Sequence, residues 1–352
     1  IPTQIVCGAA NVAAGQHVVV ATVGTKLYDG DKEFAIKKSK IRGVESFGMI
    51  CAEDEIGVGT SHDGIIELPE TVKPGTLAKD YYNVKDDYMF EVDLTPNRID
   101  AASHFGVARD LAAWMKAQGM QADLHSPSVD AFHSDRADGA IPVEVECQEA
   151  AIRYAGLTIR GVKVAESPEW LRNYLTAIGQ RPINNVVDIT NFILNAYCQP
   201  LHCFDLAKVK GNKIVVRPAA EGSKFVTLDG VERTMTARDL MICNAEEPMC
   251  IAGVFGGLES GVTEQTTDIF LESACFHPTW VRKTARRQGL NTDASFRFER
   301  GVDPNNVIYA LKAAALLVKE LAGGEICGEI SDFYPAPVER PTVELSLDYM
   351  SR

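Results

Sequence analysis

The stretch Val281–Arg300 holds six basic residues, Arg282, Lys283, Arg286, Arg287, Arg297 and Arg300, against Asp293 and Glu299, in a chain whose formal net charge is -13. Inside it sits a short polar segment, "TDAS", from Thr292 to Ser295. Small residues flanked by fixed positive charge suit a pocket that receives a phosphate-bearing group. A charge run of this kind is also what a solvated helix face looks like. Upstream, Glu272 interrupts the apolar run "DIFLESACF". A carboxylate there either faces solvent by simple alternation or is buried for a purpose, because burying it costs free energy. Cys198, His202 and Cys203 lie within six residues. They lack the second ligand pair of a zinc site, and adjacent His202 and Cys203 point opposite ways in an extended segment, so no metal is expected there. Thr190 and Asn191 close the run "NNVVDITN". His202 alone reads as a packed or surface histidine as readily as a functional one. The glycine-rich "AGVFGGLESG", which contains Gly256, lacks G-x-G-x-x-G spacing. It is either a tight turn or a floor where a ligand approaches main chain closely. No G-x-S-x-G elbow, Walker loop or H-E-x-x-H motif is present, so serine-hydrolase, NTPase and metalloprotease templates have no support.

Several elements must position these residues. "KIVVRPA" and "DIFLESACF" read as strands. "SPEWLRNYLTAIG" predicts a helix capped by Ser167, with Pro168 at its first position and a buried stripe of Trp170, Leu171, Tyr174, Leu175 and Ile178. A second helix runs from Pro304 to Ala322, with Asp303 as its cap and Gly323 as its stop. Before this region, residues 4–68 read as all-β, with "QIVCGAANV", "HVVVATVG" and "EFAIKKSKIRG" as short runs of a small barrel. "DYMFEVDLTPNRID" alternates like a strand ended by Pro96, and Ser103 caps a helix with Val107, Leu111 and Trp114 as its stripe. Residues 121–140 are polar without period and read as a linker. The expected organisation is 1–70, 71–120, the linker 121–140, a mixed module 141–332, and the start of a further unit at 333–352, an α+β multi-domain chain.

At 352 residues, with 46% hydrophobic and 24% charged residues, the composition is that of ordinary globular domains with a sizeable core. The longest apolar stretch is far shorter than the roughly 20 residues that span a bilayer, so no membrane partner is expected. Nine unpatterned cysteines point to free thiols in a reducing cytoplasm. Global acidity argues against indiscriminate nucleic-acid binding but leaves room for a local basic site. The first residue is Ile1, and "PTVELSLDYMSR" begins a strand-like alternation that stops at Arg352, so a fragment of a longer protein is expected.

Taken together, "QIVCGAANVAAGQ" with "IRGVESFGMICAEDEIG", "FEVDLTPNRIDAASHFGVARDLAA", "RPINNVVDITNFILNAYCQPLHCFD", "IAGVFGGLESGV", "FLESACFHP" and "RRQGLNTDASFRFERGVDP" strongly resemble one family, the beta subunit of bacterial phenylalanyl-tRNA synthetase. The resemblance runs over essentially the whole chain in the family's order. It implies a partial OB-type tRNA-binding barrel, a structural strand-helix segment and a mixed α/β editing module.

The resemblance also implies an activity, hydrolysis of tRNA(Phe) mischarged with tyrosine. A pocket shaped for phenylalanine cannot strongly reject an isostere that adds only a hydroxyl. By motif, Glu272 and His202 would recognise the tyrosine hydroxyl. Gly256 would form a close wall, Thr190 and Asn191 would line the pocket, and Thr292 and Ala294 would meet the ester and the tRNA 3′ end. Arg286 and Arg287 would meet tRNA phosphate. Water would attack the ester. The implied partners are tRNA(Phe) and an alpha subunit in an alpha2beta2 heterotetramer. The alpha subunit carries aminoacylation, so ATP and Mg belong to the whole enzyme and no cofactor to this chain. The alternative is a non-catalytic RNA-binding scaffold with a degenerate pocket.

Overall fold

The glycine-punctuated runs at the start of the sequence fold into antiparallel strand pairs. The computed structural model describes residues 2–30, 32–59, 61–84 and 88–350, and the chain divides into two units, Ile1–Tyr88 and Met89–Arg352. In the first lie β1 (His17–Val18), β2 (Val20–Thr22), β3 (Lys26–Asp29), β4 (Lys32–Ala35), β5 (Ser39–Ile41), β6 (Val44–Ser46), β7 (Gly48–Ile50), β8 (Glu67–Leu68) and the single turn α1 (Ala78–Tyr81). They pair as β1–β8, β2–β7, β3–β4 and β5–β6. Arg42 and Gly43 close the β5–β6 hairpin at φ 49 and 88, the positive values that a tight two-residue hairpin demands. Val19, Ala21, Leu27, Ile36, Cys51 and Ile66 form this unit's core. "QIVCGAANV" carries no strand, contrary to expectation. Val6 N–H donates to Ser46 Oγ and Phe47 N–H donates to the Gln4 carbonyl, so the segment is held by isolated bonds.

Another departure follows, at and just after the end of the first unit. Asp87 lies outside the described residues, and 88–98 form no strand despite their alternation. Phe90 and Val92 are 82% and 54% exposed. An alternating sequence becomes a strand only when a neighbour takes its backbone groups, and among the described residues no strand pairs here. Next, α2 (His104–Ala117) begins as its sequence dictates, with Ser103 Oγ accepting from Gly106 N–H at 3.0 Å. Its stripe of Val107, Leu111 and Trp114 is nevertheless exposed. Residues 71–88, grouped by sequence with this helix, belong to the first unit.

The elements that follow are β9 (Val143–Val145), β10 (Ala151–Arg160), α3 (Glu169–Ala177), α4 (Asn185–Tyr197), β11 (Leu201–Asp205), β12 (Ile214–Pro218), β13 (Lys224–Val226), β14 (Glu232–Thr234), β15 (Leu240–Cys243), β16 (Pro248–Ile251), β17 (Phe255–Gly256), β18 (Asp268–Phe276), α5 (Pro278–Gln288), α6 (Asp293–Phe298), α7 (Asn306–Leu321), β19 (Glu325–Phe333) and α8 (Leu347–Met350). An antiparallel sheet has the order β11-β18-β10-β19, and a five-stranded sheet the order β17-β16-β15-β12-β9. Helix α7 packs on the first sheet, where Ser273 Oγ donates to the Val307 carbonyl at 2.9 Å. Both sheets and helices α3 to α7 share one continuous core from Ile141 to Ile326. The end of the 121–140 segment joins the edge of β19, with Asp135 and Arg136 N–H donating to the Ile326 carbonyl.

Three helix details differ from expectation. Pro168, not Ser167, stands at the cap of α3, because the Ser167 hydroxyl is drawn to buried Asp188 at 2.5 Å. Trp170 of that helix is 45% exposed while Leu171 and Leu175 are buried. Asn305 precedes α7, and Asp303 closes a turn by accepting from Asn305 N–H. At the end of the described chain, residues 341–346 stay unpaired and α8 follows in place of a strand.

Candidate functional site

The site is built on β18. Its residues Ile269–Phe276 are all buried, so Glu272 enters an apolar interior and is only 4% exposed. On one side β11 sets His202 opposite Glu272, and on the other β10 sets Gly156 opposite it. Directly opposed residues share a face, with Cβ atoms about 5 Å apart. The carboxyl and the imidazole therefore emerge together. Two residues along β10 on the same face, Tyr154, itself 0% exposed, donates its hydroxyl to Glu272 Oε2 at 2.8 Å. Facing this surface, β17 brings in Gly256, where a Cβ would lie 3.3 Å from His202 Cε1. The glycine lets main chain rest against the imidazole edge.

Burial controls the charge states. It pushes the Glu272 carboxyl up to about 8, with the Tyr154 hydrogen bond acting in the opposite direction. It pushes His202 down to about 4. Burial and the neighbouring Glu272 push the Tyr154 phenol well above its usual range, so Tyr154 remains a donor. At neutral pH the pair is largely un-ionised, offering one carboxylic O–H and a neutral ring. His202 Nε2 is shielded and has no hydrogen-bond partner, although the residue as a whole is partly accessible. Oε1 of Glu272 likewise has no partner among the described residues.

The segment "TDAS" is a helix start. Thr292 Oγ1 accepts from Ser295 N–H at 3.1 Å while Ser295 Oγ accepts from Thr292 N–H at 2.9 Å, a reciprocal capping box for α6. Thr292 Oγ1 also donates to the Val254 carbonyl at 2.9 Å, which ties α6 to the turn two residues before Gly256. Ala294, in the first turn of α6, is partly buried against the core. Asn191 joins through Asn195: the Asn191 carbonyl accepts from Asn195 Nδ2, and Asn195 Oδ1 accepts from Arg297 Nη2 at 3.3 Å. Thr190 lies on the same helix but donates back to the Val187 carbonyl.

The arginines separate into two groups. Arg287 pairs with Asp239, which is 0% exposed. Arg297 is 9% exposed in its side chain and binds the Asp293 carbonyl and carboxylate as well as Asn195. Arg300 lies 3.6 Å over the Phe296 ring and binds Glu299. All three make contacts within the protein, although Arg287 remains exposed on α5 beside its pair with Asp239. Arg282, Lys283 and Arg286 are exposed on α5 and form no ion pair among the described residues. Cys198 Sγ donates to the Ile99 carbonyl, away from β11, and Cys203 sits opposite Leu271 on the other face from His202. Among the described residues no cluster of three metal-ligating side chains occurs.

Residues 1–77 match the family model of a putative tRNA binding domain, and residues 150–323 match that of the B3/4 domain. The chain is 70% identical over 347 residues to the Phenylalanine--tRNA ligase beta subunit of Bacteroides fragilis, covering 99% of this chain and 42% of that one. It is 62% identical over 348 residues to the corresponding beta subunit of Porphyromonas gingivalis, with the same coverage of 99% and 42%. The chain belongs to the phenylalanine–tRNA ligase beta-subunit family. It spans about two fifths of the length of these curated relatives. An N-terminal fragment of the phenylalanyl-tRNA synthetase beta-subunit from Pyrococcus horikoshii aligns at 17% identity with a TM-score of 0.37, over 72% of this chain and 68% of that one. That likeness is too loose to argue from.

Sequence reasoning missed one part of the candidate site in this beta-subunit chain and read another only in outline. Tyr154 lies in "AAIRYAGLTIR", an apolar run whose one phenol signals a buried hydroxyl in need of a partner. Arg297 was visible only as one charge of the basic cluster, because its bond to Asn195 joins residues far apart in the sequence.

Proposed function

We propose that the second unit is an editing module that hydrolyses tyrosine wrongly esterified to tRNA(Phe), and that the first unit is a partial OB-type barrel that helps hold the tRNA. The observation that carries this reading is the buried Glu272 set opposite His202 across β18 and β11, with Nε2 of the imidazole unpartnered. A tyrosine hydroxyl is both donor and acceptor. It can donate to His202 Nε2 and accept from the Glu272 carboxyl. Phenylalanine would leave both groups buried without partners, at about 1–3 kcal/mol each. Discrimination thus falls on the hydroxyl that a hydrophobic synthetic pocket fails to reject.

The reaction splits the ester with one water, returning free tyrosine and the 3′-terminal ribose hydroxyl. Thr292 and Ala294 would face that ester at the start of α6, Thr190 and Asn191 would line the approach from α4, and Gly256 would hold main chain against the ring. The exposed Arg286 and Arg287, with Arg282 and Lys283 beside them, would meet tRNA phosphates. The working enzyme would be an alpha2beta2 cytoplasmic assembly, with aminoacylation, ATP and Mg on the alpha side.

The test is deacylation of Tyr-tRNA(Phe) and Phe-tRNA(Phe) by the alpha–beta holoenzyme carrying Glu272 or Glu272→Ala. The native enzyme should hydrolyse the tyrosyl ester far faster, and the variant should lose most of that preference. A chain that only binds RNA would leave both esters intact, which would end the editing reading.

A further inference from the structure

We infer that Tyr154 is a positioning residue that fixes which oxygen of Glu272 faces the bound hydroxyl. The inference rests on the editing reading above and deepens it. A protonated carboxyl has two inequivalent oxygens, and a side chain free to turn would present either to a ligand. Here the Tyr154 hydroxyl donates to Oε2 at 2.8 Å, and Oε1 has no partner among the described residues. With Oε2 already accepting, the carboxyl proton is best placed on Oε1, the atom left to serve a ligand.

The placement of Tyr154 makes this an oriented contact. The ring is fully buried and packs against Phe276, with centroids 6.4 Å apart. It reaches Glu272 diagonally across β10 and β18, because the directly opposed position is Gly156. A side chain at Gly156 would meet the Phe270 ring, so that position supplies no polar group. Orientation of the carboxyl therefore falls to Tyr154 alone among the groups facing it from β10.

The other titratable groups facing this cluster are His202 on β11, Cys250 on β16 and Cys243 on β15. His202 is held down at about 4 and both thiols are pushed up by burial. Between pH 5 and 8, Glu272 is the member of the cluster expected to change charge.

Tyr154→Phe removes the hydroxyl and keeps the ring. In the holoenzyme, the preference for hydrolysing Tyr-tRNA(Phe) over Phe-tRNA(Phe) should fall roughly three- to tenfold, the worth of one hydrogen bond. In a Glu272→Ala background the same substitution should cost markedly less, because no group is left at that position for Tyr154 to orient. Equal losses in both backgrounds would overturn the proposal. A second readout uses the chain alone. Infrared difference spectra, with Glu272→Gln as the subtraction control, follow the protonated carboxyl of Glu272. In Tyr154→Phe its carbonyl band should move to higher frequency and its titration midpoint should rise. An unmoved band and midpoint would overturn the proposal whatever the enzyme hydrolyses. Native enzyme that shows no preference for the tyrosyl ester would refute the editing reading instead, while the infrared arm still decides the orientation.

Discussion

Glu272 and His202 stand opposite each other across β11 and β18, the first held up at about 8 and the second held down at about 4. Those shifts fix the sign of a stability profile. Between its ordinary 4.5 and about 8, the folded chain keeps a proton on Glu272 that the unfolded chain has lost, so this group makes stability fall as pH rises. His202 does the reverse between about 4 and 6.5, because there the unfolded chain holds the extra proton. The two oppose each other up to about pH 6.5, and above it Glu272 acts alone. Relative to Glu272→Gln, the native chain should therefore lose up to about 1.4 kcal/mol per pH unit between about 6.5 and 8. Denaturant titrations of both proteins across that range check this. A difference that stays constant with pH means that Glu272 is already ionised.

Gly256→Ala tests the close approach. Its φ is not positive, so backbone strain is not at issue. The new methyl would lie 3.3 Å from His202 Cε1, forcing the ring to give by a few tenths of an ångström. The expected cost is about 1 kcal/mol in stability, at the low end for overpacking, with a larger loss in tyrosyl-ester hydrolysis because Nε2 is displaced. Unchanged hydrolysis would separate Gly256 from the site.

Neighbouring arginines should behave differently. Arg287→Ala leaves the fully buried Asp239 with Thr236 and Thr284 but without its cation, and should destabilise the second unit by roughly 2 kcal/mol. Arg286→Ala touches no ion pair and should leave stability within about 0.5 kcal/mol. If Arg286 meets phosphate, its loss should lower the salt dependence of tRNA binding by about one unit of slope. Thermal melts and a salt series of tRNA titrations decide both.

What the sequence disclosed followed from local chemistry. Ser103 capping α2, the strands at Ile214–Pro218 and Asp268–Phe276, and Gly323 after α7 each rest on a few adjacent residues. What it hid depended on distant partners. Among the described residues no strand pairs with the strand-like 88–98 segment, and Ser167 abandons its cap for Asp188. Glu272 could be read either way until β10 and β11 were seen to bury it. The basic cluster looked uniform because nothing local separates Arg287, held by Asp239, from Arg286, which has no ion pair among the described residues.

"TDAS" yields the last prediction, because the structure separates the capping pair Thr292 and Ser295 from Ala294. Thr292 and Ser295 close the capping box, so Thr292→Ala should destabilise α6 by about 1 kcal/mol, whereas Thr292→Ser should keep the cap. Ala294 makes no hydrogen bond through its side chain. What it contributes is its small size at the first turn, on the helix tied by Thr292 to the Val254 carbonyl. Ala294→Trp would project an indole into the space where the ester is proposed to lie. Displacing a reacting group by an ångström or more costs roughly a hundredfold in rate, so Tyr-tRNA(Phe) deacylation should fall by about that factor. Aminoacylation by the holoenzyme should stay near the native rate, since that chemistry is proposed to sit on the other subunit. Deacylation that survives the tryptophan at native speed would remove Ala294 from the site, and with it the editing role assigned to this segment.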